Sequence, residues 1–294
     1  MSFFPGSGAL VGTWIWSTGQ PMNGIGIRTA EDLLLADLDG NGFDEIVADF
    51  GSYSTAGLWV RRNNNSWIWL NSLDPQGMAA GDFDGNGRDD LAVNFGPPWG
   101  VWLWLNNGTW FWLNTLAAAP LASGDLDGNG KDDLVLSFGP DWGVWLWLDS
   151  GSLVLLNILE AELIAIGDLD GNGQEDVILD LGPVWGLWSW MNNSVWSQFH
   201  GTSAESMTTA DLDGNGQDEV IVAWTWGIWV FRNNSYWSFL HTTRPEDLTA
   251  GDLDSSGQDD VVVDFGWGVW QWVNDAYWSL INDGNPEAFA TGDP

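Results

Sequence analysis

The chain has no cysteine, so no disulfide and no thiolate-held metal can be part of its design. Positive charge is nearly as scarce: 7 Lys plus Arg stand against 41 Asp plus Glu, a formal charge of −34. DNA, RNA and anionic lipid bind through clustered cations, so no nucleic-acid partner is expected. Apolar runs of the ~18–20 residues that a spanning helix needs are missing as well, and the stretch from Met1 to Gly12 lacks a basic start followed by a long apolar run. Neither direct membrane insertion nor an intact signal peptide is expected. With no cysteine to report on redox compartment, location has to be inferred from other residues.

What the chain does have is tryptophan, 25 of them, within a 45% hydrophobic composition able to bury a large core. It also repeats. DLDGNGFDE begins at Asp37, DFDGNGRDD at Asp82, DLDGNGKDD at Asp125, DLDGNGQED at Asp168, DLDGNGQDE at Asp211 and DLDSSGQDD at Asp252, starts that lie 45, 43, 43, 43 and 41 residues apart. A period in the low forties built from strand-like segments is the length of a four-stranded propeller blade. The apolar spacing agrees, since it is two and not three or four. In GVWLWL, Trp102 and Trp104 share one face while Val101, Leu103 and Leu105 share the other. A sheet apolar on both faces must be covered on both faces, which stacking blades around an axis achieves. The tryptophans are thus expected first as filler between blades.

First-strand segments recur near Leu33–Asp37, Met78–Asp82, Pro120–Asp125, Leu163–Asp168, Met207–Asp211, Leu248–Asp252 and Ala288–Asp293, and third strands begin at Thr13, Leu58, Val101, Val144, Leu187, Ile228 and Val269. The expectation is therefore one all-β domain over 1–294, a seven-bladed β-propeller of four-stranded blades. Its seventh blade is shared by 1–30 and 285–294: Glu287–Asp293 returns as the inner strand of a blade whose outer strands come from around Val11–Ser17, hiding sheet edges that would otherwise pair with other chains. Six blades is the alternative. The seventh blade lacks an acidic loop, because its segment reaches only Asp293–Pro294.

In each acidic loop, oxygen-bearing residues fall at positions 1, 3, 5 and 9, with position 7 offering its backbone carbonyl. Hard oxygen donors in this number suit calcium, and no soft ligand is near. The expected ligands are Asp37, Asp39, Asn41, Phe43 and Glu45; Asp82, Asp84, Asn86, Arg88 and Asp90; Asp125, Asp127, Asn129, Lys131 and Asp133; Asp168, Asp170, Asn172, Gln174 and Asp176; Asp211, Asp213, Asn215, Gln217 and Glu219; and Asp252, Asp254, Ser256, Gln258 and Asp260. An EF-hand would need a bidentate Glu at position 12, where the chain has Ala48, Val93, Leu136, Leu179, Val222 and Val263. Metal-free Asx turns are the competing reading of the loops. Six repeated clusters of acids within a few ångströms argue against it, because they would repel unless neutralised. Ser255 and Ser256 should weaken the sixth site. The second acid at position 8 (Asp44, Asp89, Asp132, Glu175, Asp218, Asp259) is expected to face solvent. Sites of this open type hold calcium at roughly 0.1–1 mM, so about six structural ions imply an extracellular, cell-surface or periplasmic setting.

The unit GDLDGNGKDDLVLSFG, followed by a Gly-rich turn and a WLWL strand, resembles the FG-GAP or VCBS repeat, the blade of integrin α-subunit heads, over nearly the whole chain. The resemblance implies calcium at the loop positions named above. Similarity to seven-bladed fungal lectins of this repeat type further implies sugar binding between blades. The high Trp content departs from the usual family pattern, so no family pocket is transferred residue by residue.

Trp99, Trp142, Trp185, Trp226 and Trp267 each stand just before the Gly that opens a third strand. They are the candidate ligand platforms, because flat aromatic faces beside Asn and Asp suit pyranose rings; blade packing is the plainer reading. His200 and His241 fall at the place of Asn71, Asn114, Asn157 and Ile281, and no Ser, His and acid arrangement recurs, so catalysis is not expected. The sequons at Asn64, Asn107, Asn192 and Asn233 lie in the turn between third and fourth strands and are explained by turn chemistry. The expected function is a lectin-like binding module for carbohydrate. The alternative is a structural or assembly protein docking to other chains of a surface layer, filament or larger complex, so that the expected partner is a carbohydrate or a protein surface.

Overall fold

The computed structural model describes residues 2–3, 12–15, 23–26, 29–51, 57–148 and 151–291. Every regular element among them is a strand. Six contiguous blades follow one another, each an antiparallel meander of four strands in sequence order. Blade one runs Asp32–Ala36, Glu45–Asp49, Leu58–Arg61 and Trp67–Asn71. The other five span 77–114, 121–157, 163–200, 206–241 and 247–282. No helix among the described residues is long and apolar enough to cross a membrane.

The first strands lie innermost, neighbouring one another from blade to blade. Second strands are buried end to end: all five residues of Asp90–Asn94, of Asp133–Ser137 and of Asp176–Asp180 are inaccessible. The reason is in the pattern of the core. Leu103 of blade two packs with Leu134, Leu136 and Trp147 of blade three, while Trp102 and Trp104 on its other face join Val47 and Val60 of blade one. Each sheet is thus sandwiched between two others, and its two apolar faces are satisfied by different neighbours. Burying one such leucine contributes roughly 1.5–3 kcal/mol. Tryptophan divides in two. Trp104, Trp147 and Trp224 fill the space between blades, whereas Trp69 and Trp112 on outermost strands remain about half exposed.

The count of contiguous blades is six, the alternative expectation and not seven. A further four-stranded sheet couples the chain ends: Pro286–Ala288 pairs with Ser2–Phe3, which pairs with Gly12–Ile15, and that with Asn23–Gly26. Its strands are short, and it differs from the six contiguous blades in drawing three consecutive antiparallel strands from one end of the chain and the fourth from the other. The expected returning strand, Glu287–Asp293, is shorter than anticipated, since regular pairing stops at Ala288. Asp293 and Pro294 lie outside the described residues, as does Asp149 of the third blade. The C-terminal segment still fills a gap: Phe289 packs on Val262 and Val269 of blade six, Ala290 on Leu33 and Ala48 of blade one, and Thr291 bonds the carbonyl of Ala250 at 2.6 Å.

Candidate functional site

Each acidic loop joins a first strand to a second, so all six share one end of the blades. The turns carrying Trp99, Trp142, Trp185, Trp226 and Trp267 join second to third strands. They therefore lie at the opposite end, about 17 Å away along a five-residue strand.

The acidic loops fold alike because their first aspartate organises them. Asp82 Oδ1 accepts the N–H groups of Gly85 and Asn86 at 2.8 and 2.9 Å, and Oδ2 accepts that of Gly87 at 2.6 Å. Gly85 and Gly87 take φ of 75° and 80°, which an L side chain would resist. Position 5 turns the chain again, as in loop four, where Asn172 Oδ1 accepts the Gln174 N–H at 2.7 Å. In loops one to four this brings one carboxylate oxygen from each of positions 1, 3 and 9 within 4.8 Å of the others: Asp37, Asp39, Glu45; Asp82, Asp84, Asp90; Asp125, Asp127, Asp133; Asp168, Asp170, Asp176.

Several of these oxygens are buried without a hydrogen-bond partner: Asp39 Oδ1, Glu45 Oε2, Asp90 Oδ2 and Asp170 Oδ1. Asp90 and Asp133 are wholly buried. Burial, and then the charge of loop neighbours such as Asp84, pushes the Asp90 carboxyl up to about 6. The same causes raise Asp176 to about 6 and Glu219 to about 7. Orphaned carboxylate oxygens converging without a donor are what a hard cation would satisfy, so the residues fit a calcium ion.

Two sets of residues around the loops were not read from sequence as functional. One is the asparagine opening the turn between third and fourth strands. Asn106 donates its side-chain amide to Asp84 Oδ2 at 2.6 Å and its backbone N–H to Asp90 Oδ1 at 2.7 Å. Asn192, Asn233 and Asn274 repeat both bonds on positions 3 and 9 of their own loops. Asn63 instead donates to the Phe43 carbonyl and Glu45 Oε1. The recurring Asn was visible in the repeat, but turn propensity accounts for it equally well, so spacing alone does not show its reach.

The other set is position 8, and here the expectation of a solvent-facing acid is corrected. Asp132 Oδ2 accepts the N–H of Asp82, first residue of the preceding loop, at 2.7 Å, while the Asp132 N–H donates to the Asp82 carbonyl at 3.0 Å. Asp89 with Asp37, Asp218 with Asp168 and Asp259 with Asp211 make the same reciprocal clasp. The acid is drawn inward because the first residue of the preceding loop presents its backbone N–H within reach. Residues before the motif are accordingly small: a Cβ on Gly124 would lie 1.7 Å from Glu175 Oε2.

The sixth loop differs as its serines suggested. Ser255 is held at φ 57° where the others have glycine, and Gln271 donates to Asp260 Oδ2 at 2.7 Å, occupying the oxygen left without a partner in Asp90.

At the opposite end, the five turn tryptophans are alike in exposure, between 49% and 56%. In blades two to four the strand tryptophan below latches the turn: Trp102, Trp145 and Trp188 donate their indole N–H to the carbonyls of Trp99, Trp142 and Trp185 at 2.7–2.9 Å. Blades five and six have shorter turns. There Trp226 stacks on Trp224 at 5.4 Å and Trp267 on Phe265 at 5.6 Å, and the indole N–H groups of Trp229 and Trp270 are unpartnered.

The two histidines take structural places. Pairing sets His200 and His241 level with Asn71, Asn114 and Asn157, and with Asn282 in blade six in place of the Ile281 read from sequence. In each case a side-chain acceptor caps the N–H two residues on: Asn114 Oδ1 takes Leu116 at 2.9 Å, and His241 Nδ1 takes Thr243 at 3.1 Å. Burial lowers the His241 pKa, which keeps Nδ1 free to accept. Their rings pack 4.5 Å from Trp224 and Phe265.

No family model and no curated protein matches the chain. Solved structures do. An Agrocybe aegerita lectin that recognises non-reducing terminal N-acetylglucosamine is 20% identical, with a TM-score of 0.59 over 85% of this chain and 80% of that one. BBS1N, solved in complex with ARL6DN, is 13% identical with a TM-score of 0.63, covering 86% and 82%. The Dos1 propeller is 14% identical at 0.54, covering 90% and 73%. The chain is a β-propeller of four-stranded blades. At these identities the likeness is one of fold.

Proposed function

We propose that this chain is a non-catalytic, calcium-stabilised carbohydrate-binding propeller of the FG-GAP or VCBS type. The observation that carries the binding reading is the half-exposure of five equivalent tryptophans at one end of consecutive blades. Core filler would be covered; a ring of flat apolar faces with polar rims matches the faces of pyranose rings. Repeated shallow sites gain avidity when a branched glycan spans two of them. The N-acetylglucosamine-recognising lectin with this fold supports the choice of ligand class.

The acidic loops, at the far end, act as scaffold: positions 1, 3, 5, 7 and 9 hold an ion, the turn asparagine orients the position 3 and 9 carboxylates, and position 8 ties each loop to the next blade. Sites filled only near millimolar calcium belong in an extracellular, cell-surface or periplasmic setting. The sheet joining Pro286–Ala288 to the N-terminal strands is read as a seventh blade closing the ring, supported by the seating of Phe289 and Ala290 between blades six and one. The capping role of both histidines supports a chain without catalysis.

A glycan array in calcium, with tryptophan fluorescence titrations of any hit, tests the reading. Binding that is lost in Trp185→Ala and Trp226→Ala supports it, and a blank array with unchanged fluorescence refutes it. A second reading, assembly with other chains, is favoured by the exposed outer strands, where Trp69, Phe111, Trp112, Phe239 and Leu280 stand 49–53% exposed. Sedimentation in calcium distinguishes it: a monomer at high concentration counts against assembly.

A further inference from the structure

Positive charge is placed unevenly between the two ends of the blades. Among the described residues, Arg61, Arg62, Arg88, Lys131 and Arg232 all stand at the acidic-loop end, in loops two and three or at the close of third strands. Arg244 alone lies at the tryptophan end, in the connection from blade five to blade six, and there it pairs with Glu205. Calcium would offset the loop acids; the acids beside the tryptophan turns have no such counterion among the described residues.

Those acids have fixed places. Gln76, Glu162, Glu205 and Glu246 each precede a first strand and donate the backbone N–H to a carbonyl at or next to the end of the second strand, at 2.6–2.9 Å. The side chain then runs along the tryptophan turn. A Cβ on Gly182, whose carbonyl accepts the Trp185 N–H, would lie 3.0 Å from Glu162 Oε1, and one on Gly266, next to Trp267, would lie 2.5 Å from Glu246 Oε1. Both glutamates are exposed, and each keeps its other oxygen on a neutral donor: the Ser203 hydroxyl at 3.0 Å and the Asn285 amide at 3.1 Å. In blade three, Asp141 is exposed immediately before Trp142. The remaining two platforms differ. Beside Gly96 in the Trp99 turn stands the neutral Gln76, with Pro98 where blade three has Asp141, and in blade five Glu205 is held by Arg244.

We propose that the tryptophan end recognises a cationic saccharide, an oligomer of protonated glucosamine, in preference to its neutral N-acetylated form; this rests on the carbohydrate-binding reading above. An ammonium group is attracted both to an indole face and to a carboxylate beside it, while the pyranose ring that carries it covers the apolar surface. Trp142, Trp185 and Trp267 offer both partners together. A neutral sugar gains only the stacking, and a lysine side chain lacks the flat ring. The formal charge of −34 steers a cationic ligand inward and repels an anionic one.

The test compares a glucosamine oligomer with its fully N-acetylated counterpart of equal length, by calorimetry and tryptophan fluorescence on the calcium-saturated chain at about pH 6, where the amines are protonated. The glucosamine oligomer should bind roughly tenfold tighter and lose that advantage as salt is raised. Glu162→Gln with Glu246→Gln should weaken it roughly tenfold, about threefold per exposed carboxylate, and leave the N-acetylated oligomer unaffected. Gln76→Glu, which installs at Trp99 the residue of the other blades, should strengthen it, so the proposal stays testable if the double variant fails to fold. Equal or tighter binding of the N-acetylated oligomer would overturn the charge preference and leave the carbohydrate reading standing, whereas no binding of either would remove both. Poly-lysine binding as tightly, or glucosamine binding that survives Trp185→Ala with Trp267→Ala, would overturn the assignment to a saccharide on these platforms.

Discussion

Stripping calcium should lower the melting temperature of this propeller by about 13 °C. The loops present buried carboxylate oxygens without a hydrogen-bond partner, such as Asp90 Oδ2 and Asp170 Oδ1, so on the calcium reading an ion should stabilise them. At about 1 mM calcium and a dissociation constant of about 0.1 mM, each filled site adds about 1.4 kcal/mol, and six add about 8 kcal/mol. Unfolding entropy of about 2.1 cal/mol/K per residue comes to about 0.6 kcal/mol/K for 294 residues, and the quotient is the shift. The sixth loop should contribute least, since Gln271 already satisfies Asp260. Differential scanning calorimetry in 1 mM calcium and in excess EDTA measures the difference. A melt that moves by less than about 2 °C would refute the scaffold role, and a shift restored equally by magnesium would refute the preference for calcium.

Without metal, the pH dependence should run opposite to that of a salt-bridged protein. Folded carboxyls of Asp90, Asp176 and Asp218 titrate at about 6, and those of Glu175 and Glu219 at about 7, all above their unfolded values. The folded state binds these protons more tightly, so their contribution is full below about pH 4 and lost as pH rises through 6 to 7. The melt in EDTA should thus be higher at pH 5 than at pH 7.5, and a flat profile would contradict the burial argument. Asp132→Ala removes the acceptor for the Asp82 N–H and should cost roughly 1.5–3 kcal/mol in urea unfolding, whereas Asp132→Asn keeps an oxygen and should cost less. Gly100→Ala should destabilise more than a typical surface change: its Cβ would sit 2.0 Å from the Asn114 carbonyl, at φ 68°. Circular dichroism melts would show it. Trp226→Ala should abolish ligand quenching at its blade and leave the calcium-dependent melt unchanged, because the two sites occupy opposite ends.

The repeat period and the alternating apolar spacing by themselves determined an all-β propeller, because a sheet apolar on both faces, as in GVWLWL, has few ways to be covered. The positions of the acidic clusters were equally legible, since DxDGNG turns are local structures organised by their own first aspartate. What only the tertiary structure decided involves partners from other blades or other turns. Position 8 reads as a spare surface acid until the N–H of the preceding loop is seen beside it. The turn asparagines read as turn formers until Asn106 is found against Asp84. Glu162 and Glu246 match no motif, and only the pairing of first with second strands brings them against the turns of Trp185 and Trp267. Likewise, strand direction separates the tryptophan turns from the acidic loops and places the two sets at opposite ends of the blades.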